Sequence, residues 1–314
     1  MLYGKYLFFS IFEDDAILPY YKGSTFRGAF GHALKKVVCA VKRQDCKDCL
    51  LREKCVYSFV FETPITGNDS EGRKRIASPP HPYAIEPPDT TKTDYKKGES
   101  FDFTLLLFGR ANDYLPYFIY AFEQMGKMGI GRRIEGERPE FKLKSVTAGD
   151  NPVYSSQDNK IREGEFAEDL VIENFLYEES KAIRRIELTL ETPLRIKFQN
   201  FLEANISFHV LVRAMLRRIS SLNNYHGHGE PPLDYRGMVK RAKSVEIRES
   251  SIRWFDWKRY SNRQDQSMIM GGIVGKVSYT GDLGEFIPLI RFCEKVHIGK
   301  QTSFGLGKIK VTGM

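Results

Sequence analysis

FKLKSV, residues 141–146, alternates apolar side chains with lysines, and GKIKV, residues 307–311, repeats that alternation near the carboxyl end. Period-two alternation marks a half-buried strand. Reading backwards from each stretch uncovers the same series. Before FKLKSV stand three glycines (Gly126, Gly129, Gly131), a helix beginning near Pro116 in LPYFIYAFEQM, and the apolar strand FDFTLLLFG (101–109). Before GKIKV stand a glycine-rich loop (299–307), the helix FIPLIRFCEK and the strand GGIVGKVSYTGD (271–282).

The upstream halves of both series agree as well. YGKYLFFSIF (3–12) reads as a strand and leads to the helix GSTFRGAFGHALKKVV, with Phe26, Ala29, Phe30, Ala33, Leu34, Val37 and Val38 at helical spacing. RRIELTLET (184–192) leads to an amphipathic helix over 205–222, with Phe208, Leu211, Val212, Met215, Leu216, Ile219 and Leu222 on one face. Strand–helix–strand taken twice is the ferredoxin-like βαββαβ unit. The chain is therefore expected to be an α+β protein of two tandem ferredoxin-like domains with antiparallel sheets, spanning 1–150 and 178–314. A polar stretch near 147–182 joins them, and residues 66–98, rich in Pro, Lys, Asp and Thr, read as a long hairpin or mobile insertion.

Formal net charge is +8 and the isoelectric point is 9.1, which favours an acidic partner, nucleic acid first. No stretch approaches the ~18 apolar residues of a membrane span. The amino end lacks the basic start and small-residue cleavage site of a signal peptide. Four of the five cysteines crowd into residues 39–55. That pattern suits a reducing cytoplasm and a metal cluster better than a disulfide framework. A cytoplasmic protein with no membrane partner is the expectation.

Cys39, Cys46, Cys49 and Cys55 read C-x6-C-x2-C-x5-C in an insertion just after the first helix. The central pair can reach one metal from a tight knuckle and the outer pair can complete a tetrahedron. Structural zinc is the first reading, an iron–sulfur cluster uses the same ligands, and free thiols are the alternative. Lys42, Arg43, Lys47, Arg52 and Lys54 would offset the negative charge of a four-thiolate site.

His32 lies on the first helix away from the apolar stripe, with Gly28 and Lys36 one turn to either side. It reads either as a solvated residue or as a general acid/base beside cations. Tyr20 and Tyr21, in LPYYKGS, could supply a phenol to the same neighbourhood. His209, Arg213 and Arg217 form a ridge at i, i+4, i+8, and two basic helix edges would frame a phosphate-binding groove. Glu13, Asp14 and Asp15 are the acidic run a metal-dependent nuclease would need. His226 and His228 in YHGHGEPP resemble half a metal site but read better as a polar loop. WFDWKRYSNRQ (254–264) interleaves Trp254, Phe255, Trp257 and Tyr260 with Lys258, Arg259 and Arg263, the composition of a single-stranded RNA surface. One of the two tryptophans is expected to pack beneath the sheet. The loop 299–307 fits neither a P-loop, which would need glycine and lysine at Phe304 and Gly305, nor a dinucleotide fingerprint, which would need glycine at Lys310.

Taken as a set, KGSTFRGAFGHALKKVVC with its trailing cysteines, WFDWKRYSNRQ, MGGIVGKVSYTG and HIGKQTSFGLGK resemble the CRISPR precursor-RNA processing endoribonucleases of the RAMP superfamily. Gly299, Gly305 and Gly307 match that superfamily's glycine-rich signature. The resemblance implies cleavage of CRISPR repeat RNA without a metal, by 2′-hydroxyl attack that leaves a 2′,3′-cyclic phosphate and a 5′-hydroxyl. It implies His32 as general acid or base, Lys36 or Lys35 against the phosphorane, and Tyr20 or Tyr21 as positioner or donor. RNA contacts would come from Arg27, Lys35, Arg213, Arg217, Arg259 and Arg263. The terminal loop, Gly299, Lys300, Gln301, Thr302, Ser303, Phe304, Gly305 and Gly307, would approach the RNA backbone, its glycines allowing close contact. No cofactor is implied for the chemistry. The alternative is a non-catalytic RNA-binding subunit on the same fold, with other CRISPR effector subunits as partners.

Overall fold

The computed structural model describes residues 1–42, 44–63, 79–175, 183–198, 201–202, 206–261 and 266–313. The chain forms two units, Leu2–Asp169 and Leu170–Met314, the latter joined by Met1.

The first unit contains β1 (Leu2–Phe12), β2 (Ala16–Ile17), α1 (Gly23–Val38), β3 (Tyr83–Glu86), β4 (Asp94–Tyr95), β5 (Ser100–Phe108), α2 (Leu115–Met128), β6 (Phe141–Ala148), β7 (Asn151–Ser155), β8 (Lys160–Ile161) and β9 (Ala167–Asp169). Its main sheet runs β3-β5-β1-β6-β7-β8, with β9 added to the start of β1. The four strands β6-β1-β5-β3 and the two helices reproduce the ferredoxin-like plan. Alternate residues of β1 (Tyr6, Phe8, Ser10, Phe12) face the core, while Leu7 and Phe9 face solvent. The core is built of aromatic rings: Phe8 lies 5.0 Å from Phe103 and 4.8 Å from Phe122, and Phe30 stacks on Phe122 at 4.6 Å. Such pairs add to simple area burial.

The second unit contains β10 (Arg185–Leu194), β11 (Lys197–Phe198), β12 (Phe201–Leu202), α3 (Phe208–His226), α4 (Tyr235–Arg241), β13 (Glu246–Ser250), β14 (Arg253–Ser261), β15 (Gln266–Thr280), α5 (Ile287–Val296) and β16 (Ile309–Gly313). The order β16-β10-β15-β13 is again ferredoxin-like, with β14 continuing beside β15. β10 pairs with β15 only from Ile273 to Thr280, whereas β14 pairs with it from Gln266 to Val274. A two-stranded ribbon therefore extends beyond the body of the sheet. Every apolar residue named on the α3 face is buried, as its spacing required.

The repeat extends to individual hydrogen bonds. Both α2 and α5 open with proline in the first turn. α2 ends on Gly129 at φ 69°, ψ 158°, and α5 ends on His297 at φ 60°, ψ 161°. In the turns that follow, GIG (129–131) and HIG (297–299), Arg132 N–H donates to the Ile17 carbonyl and Lys300 N–H donates to the Arg195 carbonyl. A Cβ on Gly131 or Gly299 would stand 2.5 Å from those same oxygens.

One expectation needs correction. The stretch 66–98 is not only an insertion, because Tyr83–Glu86 is an edge strand of the first sheet paired with β5, while 66–78 lie outside the described residues. WFDWKRYS, singled out for its aromatic and basic composition, forms strand β14. Among the described residues, no helix is long and apolar enough to cross a membrane.

Candidate functional site

α1 presents three faces to its surroundings. Phe26, Phe30, Ala33 and Leu34 are buried in the core. A second edge, Arg27–Gly31–Lys35, is covered by the segment that follows the cysteines. The Arg27 guanidinium stacks on Phe61 at 5.1 Å, and its Nη2 lies 3.2 Å from His81 Nε2. The other ring nitrogen of His81 meets Thr63 Oγ1 at 3.1 Å. Gly31 leaves room for Phe61, whose ring a Cβ would approach to 2.9 Å. Lys35 Nζ sits over Tyr57 at 5.5 Å, and Tyr57 stacks on Phe61 at 5.1 Å. Burial opposes the Lys35 charge, but Cys46, Tyr57 and Cys39 together hold its pKa above the ordinary value.

The third edge is Gly28–His32–Lys36, at i, i+4 and i+8. His32 and Lys36 are exposed, and a Cβ on Gly28 would meet nothing within 4 Å. The structure thus separates the two basic pairs: Arg27 and Lys35 are engaged within the protein, while His32 and Lys36 share an open edge.

At the entrance to α1, Tyr20 is 52% exposed and Tyr21 is half-buried, its phenol pKa raised by burial and then by Glu86. Tyr20 precedes α1, and His32 lies on it nine positions, about 13 Å along the axis, past Gly23. Between them stands a lysine the sequence reading passed over. Lys22 is 1% exposed, its Nζ donates to the Thr90 carbonyl at 2.7 Å and to the Tyr20 carbonyl at 3.3 Å, and burial lowers its pKa to about 8. The signal available was a lysine at a helix start, where the macrodipole disfavours a cation.

Two carboxylates of the acidic run are spent on local structure. Asp14 Oδ2 accepts from Glu140 N–H, and Asp15 accepts from Lys96 Nζ and Lys97 N–H, which lowers its pKa. Cys39, Cys46, Cys49 and Cys55 are half-buried and free of disulfides. Among the described residues no three His, Cys, Asp or Glu converge as a metal site, so as arranged the four thiols do not form one tetrahedral set. Cys46 and Cys39 instead share the Lys35 ammonium. Arg43 lies outside the described residues.

In the second unit, Arg213 and Arg217 are exposed along α3, and His209 is half-buried. Burial, then Lys243 and Arg213, lower the His209 pKa, so the ridge carries two fixed charges at neutral pH. The neighbouring Arg218 is buried and donates from Nε and Nη2 to the Val296 carbonyl, closing the last turn of α5. His297 is buried too, with Nδ1 3.1 Å from the Leu306 carbonyl.

The glycine-rich loop is anchored on its own protein. Gly307 is needed because a Cβ there would fall on the Ile298 carbonyl, and Thr192 Oγ1 donates to the Gly305 carbonyl. Thr302, Ser303, Phe304, Gly305 and Gly307 are buried, whereas Gly299, Lys300 and Gln301 are exposed. The closest backbone approaches are thus made to the chain's own Ile298 and Arg195.

Arg195 joins this loop to the β14–β15 ribbon. Its carbonyl accepts from Lys300, and its Nη1 donates to the Gly271 carbonyl at 2.5 Å. Trp254 is 38% exposed, and Trp257 is 7% exposed beneath the ribbon. Arg259 lies on β14 opposite Met268, while Arg263 is outside the described residues. Nothing in the sequence marked Arg195, because its role depends on a contact with a strand 76 residues away.

The AF_1859_N model, an N-terminal domain, matches residues 1–166, and the model for the CRISPR-associated endoribonuclease Cas6 matches residues 188–309. An uncharacterised protein of Archaeoglobus fulgidus is 26% identical over 299 residues, 94% of this chain and 92% of that one. A partial Cas6-RT-Cas1–Cas2 complex is similar at TM-score 0.60 and 14% identity over all of this chain, which spans only 46% of the chain matched there. Cas6 of Thermus thermophilus is similar at TM-score 0.55 and 10% identity, over 99% of this chain and 98% of that one. At these identities the structural likeness concerns the fold.

Proposed function

The chain belongs to the CRISPR-associated endoribonuclease Cas6 family, with an amino-terminal domain of the AF_1859_N family, and from that membership we propose that it cuts CRISPR precursor RNA within the repeat. The 2′-hydroxyl beside the scissile phosphate attacks phosphorus in line and gives its proton to a base. The bond to the 5′-oxygen breaks, and that oxygen takes a proton from an acid. The products are a 2′,3′-cyclic phosphate and a 5′-hydroxyl, and no metal takes part.

The observation that carries this reading is the open edge of α1, where His32 and Lys36 stand one turn apart. His32 supplies the acid or the base, a role worth about 10²–10⁴ in rate. Lys36 stabilises the phosphorane, since Lys35 is turned to Tyr57 and Cys46. The exposed Tyr20 positions the RNA. Tyr21, its phenol pKa raised by burial, stays protonated. Arg213 and Arg217 hold phosphates, as do Lys300 and Gln301 at the exposed start of the glycine loop and Arg259 of β14; Arg263, outside the described residues, is a further candidate.

The test is cleavage of end-labelled repeat RNA from the protein's own genome in excess EDTA, beside His32→Ala. We expect one cut with a cyclic-phosphate end, slowed about 10²-fold or more in the variant. Tight binding without any cut would sink the enzyme reading in favour of a non-catalytic RNA-holding subunit.

A further inference from the structure

The β14–β15 ribbon carries an aromatic ring fixed in an unusual way. Trp254 Nε1 donates to Asp256 Oδ1 at 2.7 Å, two residues along the same strand. The indole also lies against Gly271, where a Cβ would stand 2.5 Å from ring atom Cζ2 and 2.3 Å from Asp256 Oδ1. One side of the ring is thus backed by bare backbone and its edge is pinned, while Trp254 stays 38% exposed. Core packing does not require it there, because Trp257 and Phe255, stacked at 5.7 Å, occupy the other face of β14.

Charges of both signs surround this contact: Arg195 donates to the carbonyl of the same Gly271, and its guanidinium also interacts with Asp256. The carbonyl of the same Arg195 receives Lys300 N–H. One residue therefore links a pinned aromatic ring to an exposed lysine on the glycine loop.

We propose that Trp254 is a stacking platform for one unpaired nucleobase of bound RNA, with Lys300 taking an adjoining phosphate, a site that rests on the reading of this protein as an RNA endonuclease. Every base has a π-face, so the platform selects an unpaired base over a paired one rather than one base over another.

The chain has two tryptophans, so Trp257→Phe leaves Trp254 as the only fluorophore of its kind. In that background the probes are a short oligouridylate and the matching abasic ribose-phosphate oligomer. The oligouridylate should quench Trp254 emission and the abasic oligomer should not. Trp254→Ala should weaken oligouridylate binding about fivefold or more, and Trp254→Tyr should recover most of the loss. Gly271→Ala should weaken it similarly while keeping the indole, because the methyl displaces the ring. Neither change should alter the salt slope, whereas Lys300→Ala should reduce it by about 0.7. Trp254→Tyr and thermal melting guard against a variant that fails to fold. If Trp254→Ala binds as the parent does while Lys300→Ala is weakened, the platform is overturned and the RNA reading stands. If the unaltered protein binds no RNA, both fall.

Discussion

A lysine with 1% of its surface exposed must find acceptors or give up its proton, and Lys22 does some of each. Its pKa falls to about 8 in the fold against 10.5 in the unfolded chain. Between those values the unfolded chain holds a proton that the folded chain does not, so stability rises with pH across that window. Below about pH 8 both states are protonated and the fold bears the full penalty of a buried cation. Buried tyrosines act in the opposite sense. Tyr6, Tyr83 and Tyr95 are pushed up to about 12 from 10.0, so their contribution is lost as pH climbs past 10. Urea unfolding at a series of pH values should show stability rising above pH 8 and falling beyond 10. Lys22→Met should abolish the rise and keep the fall; a rise that persists in the variant would assign it to another group.

The duplicated turn after α2 and α5 shows what the repeat allows to vary at the level of single elements. Gly129 adopts its left-side backbone without a Cβ, while His297 carries a side chain in nearly the same conformation. The strain of such a residue is of order 1–3 kcal/mol, and the hydrogen-bonding distance from its ring to the Leu306 carbonyl identifies what offsets it. Arg218 braces the same corner from α3. Arg218→Met would leave the buried Val296 carbonyl without these donors, and urea unfolding should record a loss of about 1–3 kcal/mol. No change would mean that water or another donor replaces it.

The long elements were legible because each carries its own period: the lysine alternation of β6, the apolar stripes of α1 and α3, the prolines that open α2 and α5. β3 was not, since four residues flanked by prolines offer too short a pattern inside a polar stretch. β14 was hidden by a composition that also describes an RNA surface, and it proved to be both a strand and the bearer of an exposed tryptophan. At the candidate site, the spacing of His32 and Lys36 placed them on one edge correctly. That Arg27 and Lys35 turn inward was not readable, because Tyr57, Phe61 and His81 reach them from a segment with no periodic tie to α1.

On the scale of the whole molecule, a net charge of +8 favours the RNA partner proposed above. Each phosphate neutralised releases counterion, so affinity for single-stranded RNA should fall with salt by about 0.7 log units per log unit of salt for each contact. Arg213 and Arg217 are the fixed charges of the α3 ridge, His209 being held below its ordinary pKa. Replacing both arginines with alanine should reduce the slope by about 1.4, measured by filter binding across a salt series. An unchanged slope would remove the ridge from the RNA path.

The glycines of the terminal loop change how a genetic screen of this protein should be interpreted. Gly299 and Gly307 make room for the chain's own carbonyls, so a bulkier residue at either position injures the scaffold before it touches a ligand. Such alleles would mimic lost recognition at one growth temperature and recover at a lower one. Damage to the exposed Lys300 would be indifferent to temperature and sensitive to ionic strength instead.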